Sequence, residues 1–140
     1  MGIEECKLVE LPVREDPQGD LAFAEGGRHV PFPIARVFYV YDVPGEAVRG
    51  GHAHLALEQA VFCVAGRLEV IVDDGTEREA FALESPRTGL YLPPMVWHDL
   101  GGFAPGSVYV VLTSAHFDEA DYIRDRDEFL AAIGSLATNL

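Results

Sequence analysis

Turn signals recur along this chain at intervals of roughly eight to twelve residues, with short β-branched or aromatic runs between them, the pattern of a sandwich or small barrel. Asp16-Pro-Gln-Gly19, Gly26-Gly27, Pro44-Gly45, Asp73-Asp-Gly75 and Ser85-Pro86 supply the breaks. Asp-Gly suits a tight hairpin because glycine takes the positive φ that such a turn requires. Residues 7–14 read as an edge strand, since Pro12 has no N–H to give to a ladder. Further strands are expected over 21–25, 36–42, 59–65, 67–72, 76–83, 89–94 and 108–113. Only the end changes character: residues 118–133 combine helix-forming charges with Tyr122, Phe129 and Ile133, and predict one or two short helices. Residues 1–140 are therefore expected to form one all-β domain with a short helical C-terminus, long enough to bury a single core. There is no internal repeat.

Charge narrows the choice of partners. The chain has 10 Lys and Arg against 23 Asp and Glu, a net charge of −13. A nucleic-acid surface needs a basic stripe, so that class is excluded. A small anionic ligand needs only a few arginines gathered in one pocket. No apolar run approaches the roughly 20 residues of a membrane span, and the start lacks the charged, apolar and small-residue order of a secretory leader. A cytoplasmic protein without membrane attachment is expected. Cys6 and Cys63 lie far apart and read as buried thiols of a reducing compartment.

The chemistry concentrates in Arg49-Gly-Gly-His-Ala-His-Leu-Ala-Leu-Glu-Gln59. On an extended segment His52 and His54 share one face, because side chains alternate with a period of two. Imidazoles titrate near neutrality and can move protons or coordinate a metal. Gly50 and Gly51 let the backbone bend or a ligand approach. A third histidine, His98, closes Leu92-Pro-Pro-Met-Val-Trp-His98. His29 and His116 lie outside these stretches and are expected to be structural or solvated, and the acidic residues 118–128 a solvated helix face.

These stretches resemble the two motifs of the cupins, double-stranded β-helix (jelly-roll) barrels whose pocket histidines come from both. In the first motif His-x-His precedes a Glu and then, after six intervening residues, a Gly. Here His52-Ala-His54 and Gly66 fit, and the six-residue count lands on Gln59 where the family's metal-binding members place Glu; Glu58 leaves seven. The second motif, Pro-x-Gly-x-x-His, is matched by Pro93-Pro-Met-Val-Trp-His98 with Met95 in place of Gly. Three of the usual four ligand positions are thus histidine and the fourth an amide. A carboxylate would supply charge that hard and intermediate cations favour, although three imidazoles can hold zinc or copper. Without a metal, His52 and His54 are left as acid and base.

Over its whole length the chain is similar to the nucleotide-sugar 3,4-ketoisomerases, small metal-independent cupins. The similarity runs through Asp16-x-x-Gly-x-Leu, Arg36-Val-Phe-Tyr39, Arg49-Gly-Gly-His-Ala-His54, Asp73-Asp-Gly75, Gly89-Leu-Tyr-Leu-Pro-Pro-Met-Val-Trp-His98 and Asp121-Tyr-Ile-Arg124. Phe38 departs from it, at a position where the family often has Tyr. The resemblance implies conversion of dTDP-4-keto-6-deoxyglucose to its 3-keto isomer with no metal or cofactor, proton transfers by His52 and His54 with help from Tyr39, and a homodimer. Such chemistry needs groups titrating near neutrality and a donor for the developing oxyanion. Arg36 and Arg49 are candidates to grip the diphosphate, and Gln59 and His98 to hydrogen-bond in the pocket. Trp97 and Tyr91 are candidates to stack on base or sugar. Two other readings stay open: a metal-dependent, dioxygenase-like cupin using His52, His54 and His98, and a non-catalytic sugar-binding cupin.

Overall fold

The computed structural model describes residues 2–138. A 3-10 turn at Ile3–Glu5 leads into β1 (Lys7–Glu10), β2 (Val13–Arg14), β3 (Leu21–Ala22), β4 (Arg36–Val40), β5 (Arg49–His54) and β6 (Gln59–Ala65). There follow β7 (Leu68–Asp73), β8 (Arg78–Leu83), β9 (Thr88–Leu92), β10 (Trp97–Gly101), β11 (Val108–Thr113), β12 (Tyr122–Ile123) and one helix, α1 (Arg126–Thr138). Among the described residues the strands form a first sheet in the order β1-β9-β6-β11-β4, a second in the order β12-β5-β10-β7-β8, and a β2-β3 hairpin. All these pairings are antiparallel. This is the expected jelly-roll of a cupin, with one short C-terminal helix.

Alternation along each strand builds the core. Val61, Cys63, Leu90, Leu92, Tyr109 and Val111 of the first sheet meet Leu68, Val70, Val72, Leu83 and Leu100 of the second. Burying each such aliphatic side chain contributes about 1.5–3 kcal/mol. The next residue along each strand faces away. Ala60, Phe62 and Leu112 pack outside the first sheet under Val30 and Phe32, and Ala53 and Trp97 pack outside the second against Phe129 of α1. Arg126 pins the helix start by donating from Nη2 to Asp73 Oδ2 at 2.8 Å. Cys6 and Cys63 are free and buried, as expected.

Two expectations change. Residues 118–125 form no α-helix. Asp118 caps a single 3-10 turn, Glu119–Asp121, and Tyr122 and Ile123 then extend to pair with His54 and Ala53. Two β-favouring residues with a ready strand edge outweigh the helix propensity of their charged neighbours. Conversely, residues 97–101, left without an element by the sequence reading, form β10, paired on both sides. No helix among the described residues is long and apolar enough to cross a membrane.

Candidate active site

β5 approaches β10 closely because of Gly50. Its φ is +85°, and a Cβ there would lie 2.8 Å from the His98 carbonyl oxygen, so only glycine fits. Beyond it the strand alternates, and His52 and His54 both face into the barrel. His98 stands opposite His52 in the β5–β10 ladder, and Tyr122 stands opposite His54 in the β5–β12 ladder. The four rings form one cluster. Centroids are 5.0 Å apart for His52 and His54, 4.7 Å for His52 and His98, and 5.0 Å for His52 and Tyr122. The turn before β10 holds Met95 at φ +61°, where the cupin motif has glycine. Its N–H donates to the His54 carbonyl at 2.8 Å, and its side chain is buried under α1, which offsets a left-handed conformation costing about 1–2 kcal/mol.

His52 Nδ1, His54 Nε2 and His98 Nδ1 are buried and have no hydrogen-bond partner in the protein. Burial, then the neighbouring His52 and His54, lowers the His98 pKa to about 3. Burial and His52 lower that of His54 to about 4, against the opposing hydrogen bond to Asp121. His52 is lowered too, by burial and the Arg124 charge, against a backbone hydrogen bond at Gly50. At neutral pH these are neutral imidazoles, competent as proton acceptors. One ring nitrogen from each lies within 4.8 Å of one from each of the others, so the trio has the spacing to hold a divalent ion. Gln59, buried at 6 % exposure, shares the inward parity of Val61 and Cys63. Glu58 turns outward and accepts from the Tyr91 hydroxyl at 2.7 Å. By parity the amide of Gln59 faces the same interior as the three imidazoles, which suit zinc or copper, and no carboxylate stands at that motif position.

Asp121 braces His54 from behind. Its Oδ2 lies 3.1 Å from His54 Nδ1 and accepts from the Leu57 N–H at 3.2 Å, while Oδ1 accepts from the Ala56 N–H at 2.8 Å. A cavity of about 190 Å³ opens between Arg36, His54, Leu57, Phe117, Asp121 and Tyr122. Arg36 Nε is buried with no hydrogen-bond partner, and its guanidinium lies 5.0 Å from the Phe38 ring and 5.6 Å from that of Phe117. Arg49, at the head of β5, donates from Nε to the Tyr109 hydroxyl at 3.0 Å.

Three expected site residues are not brought to the histidines, each through strand parity. Tyr39 follows the inward Phe38 and so points outward, 65 % exposed beside Tyr41. Trp97 precedes the inward His98 and lies on the back of the sheet, 5.6 Å from Phe129. Tyr91 sits between the inward Leu90 and Leu92 and packs against Phe32 outside the first sheet. Conversely, sequence reasoning missed Asp121 and Tyr122, which it assigned to a solvated helix, and His116, which lines the cavity. A capping Asp followed by a β-type Tyr-Ile pair was the available signal. A larger groove, about 610 Å³, is remote from this chemistry: it runs between the β2–β3 hairpin and the outer face of the first sheet.

Comparisons with known proteins agree with this geometry. The family model FdtA, described as WxcM-like, C-terminal, matches residues 4–134. The TDP-4-oxo-6-deoxy-alpha-D-glucose-3,4-oxoisomerase of Aneurinibacillus thermoaerophilus is 41% identical over 132 residues, 94% of this chain and 95% of that protein. The 3,4-ketoisomerase QdtA of Thermoanaerobacterium thermosaccharolyticum, solved in complex with TDP, superposes with a TM-score of 0.91 at 33% identity, covering 94% of this chain and 96% of that one. The TDP-quinovose 3,4-ketoisomerase of Campylobacter jejuni gives 0.88 at 38% identity, covering 92% and 99%. With the motif histidines on one inner face of a cupin barrel and this similarity along nearly the whole chain, the protein belongs to the FdtA family of the WxcM-like, C-terminal type.

Proposed function

We propose that this chain is a sugar 3,4-ketoisomerase that converts TDP-4-keto-6-deoxyglucose to its 3-keto isomer, as its 41% identical relative is named to act. The observation that carries the reading is the pair His52 and His54, ring centroids 5.0 Å apart, each with a buried, unpartnered nitrogen. Moving a ketone between adjacent carbons needs a base at one carbon and an acid at the next. A neutral imidazole removes the C3 proton, which the C4 ketone acidifies, and charge gathers on the C4 oxygen. That oxygen takes a proton, the C3 hydroxyl loses one, and protonation at C4 leaves the ketone at C3. No electron leaves the sugar, so the reaction needs no redox cofactor. Tyr122 takes the assisting role first given to Tyr39, because it is the hydroxyl-bearing side chain beside both imidazoles, and His98 and Gln59 hydrogen-bond the sugar.

Arg36 is the diphosphate contact, an inward guanidinium among aromatic rings in a strongly acidic chain; Arg49 stands next to it in rank, partly committed to Tyr109. The cavity is smaller than the roughly 300–1,000 Å³ of sites that enclose a whole drug-sized ligand, so it takes the sugar ring and leaves the nucleotide at its mouth. The outer face of the first sheet exposes Val37, Tyr39 and Val64 beside the apolar groove, a surface suited to a second copy in a homodimer. Free buried thiols fit a reducing cytoplasm.

The test is incubation with TDP-4-keto-6-deoxyglucose in deuterated water, read by NMR of the sugar. Deuterium at C4 of a 3-keto product is expected. Replacing His52 or His54 with Asn should lower that turnover by about 10²–10⁴-fold while TDP still binds. Near-wild-type exchange in both variants would overturn the assignment, and tight binding of the sugar without turnover would mark a binding protein instead.

A further inference from the structure

The carboxylate behind His54 is more than a structural brace. We propose that Asp121 is a positioning residue for the isomerisation: it fixes His54 as the tautomer protonated at Nδ1 and so presents the Nε2 lone pair to the sugar. This rests on the ketoisomerase reading above.

The geometry leaves the imidazole little choice. Asp121 is held at both ends of its side chain and along its backbone. Its carboxylate accepts the Ala56 and Leu57 N–H groups at 2.8 and 3.2 Å. Its carbonyl accepts the Leu55 N–H at 2.9 Å, and its own N–H donates to the Asp118 carbonyl at 3.0 Å. A carboxylate engaged by two backbone donors acts as an acceptor only, so the 3.1 Å contact with His54 Nδ1 requires the proton on Nδ1. A neutral imidazole carries one N–H, which leaves Nε2 as the lone pair. That atom is buried with no partner in the protein. A buried acceptor left unsatisfied costs about 1–3 kcal/mol, and a substrate proton is what this one is placed to receive. His52 and His98 differ: their backbone hydrogen bonds are at Gly50 and Val96. A carbonyl orients a ring but carries no full charge, whereas Asp121 also stabilises the imidazolium once a proton arrives.

The decisive variant is Asp121→Asn, which keeps size and shape. Its one amide oxygen cannot accept from Ala56 and also from Leu57 and His54 Nδ1, and in either orientation the negative charge that stabilises the His54 imidazolium is gone. Turnover should fall by about 10²–10⁴-fold, while KM for TDP-4-keto-6-deoxyglucose and the affinity for TDP stay within about twofold of wild type, since ground-state contacts are kept. Nitrogen-15 NMR of His54 should show the proton on Nδ1 in the wild type. A wild-type ring protonated at Nε2 would overturn the proposal, whether or not the variant folds. So would wild-type turnover in Asp121→Asn. If the wild-type protein does not isomerise the sugar at all, the ketoisomerase reading fails on its own account, and the tautomer measurement still reports on Asp121.

Discussion

Tyr122 stands directly opposite His54 across the β5–β12 ladder, with ring centroids 4.3 Å apart. It also touches His52, so one ring from a two-residue strand covers both imidazoles. Removing it in Tyr122→Ala should misplace both imidazoles and lower turnover by about 10²-fold, because sub-ångström alignment is worth that much to a proton transfer. Tyr39→Phe, which trims a hydroxyl on the outer face, should leave turnover within about twofold of wild type. Steady-state assays of the two variants side by side check this. A large loss in Tyr39→Phe with none in Tyr122→Ala would reverse the assignment.

Arg36 offers a separable test of binding. Arg36→Gln should weaken TDP itself, measured by calorimetry, by about tenfold or more, the range of a lost charge-assisted hydrogen bond. A contact present in ground and transition states alike should raise KM and leave kcat nearly unchanged. An unchanged TDP affinity would remove Arg36 from the diphosphate site.

Metal content follows from Gln59. With an amide rather than a carboxylate beside three imidazoles, protein purified without added metal should contain well under one ion per chain, and exhaustive chelation should leave turnover unaltered. Stoichiometric zinc, copper, iron or nickel by elemental analysis, together with activity lost on its removal, would contradict this.

Acid should destabilise the fold through the same histidines. His54 and His98 are lowered in the folded protein to about 4 and about 3, while an unfolded histidine titrates near 6.5. As pH falls below about 6.5 the unfolded chain takes up protons that the folded one refuses. Stability present above that pH is therefore lost on the way down toward pH 4 and then 3, at a limiting slope of about 1.4 kcal/mol per pH unit for each histidine. Between about pH 6.5 and 5 most carboxylates are still ionised, so denaturant melts in that window isolate the effect. His98→Asn should reduce the slope there by close to one proton, and an unchanged slope would show that His98 is not held neutral.

How far the sequence could be read depended on the length of each run. The β-barrel and the inward placing of His52, His54, His98 and Gln59 were legible, because two motifs with fixed spacing anchor them on long strands. Parity was harder to read. Residues 36–41, Arg-Val-Phe-Tyr-Val-Tyr, are apolar or aromatic on both faces, so composition could not say whether Phe38 or Tyr39 points in. For Trp97 the signal was present: an inward His98 obliges its neighbour to face outward. Tyr122 and Asp121 were marked by the Asp121-Tyr-Ile-Arg124 motif but not placed by it, since a strand of two residues has no period and acidic neighbours gave the segment the look of a solvated helix.

That β12 follows β11 in the chain has a consequence for biosynthesis. Both five-stranded sheets, β12 apart, are complete once Thr113 has been made, yet Tyr122 and Asp121 come later, and their short strand is followed by a helix anchored through Arg126 to Asp73 and through Phe129 to Trp97. A chain cut short by premature termination after β11 would carry its three histidines on a barrel lacking the wall and the brace of the site. On the ketoisomerase reading, competence therefore depends on a segment that is made only after the barrel strands.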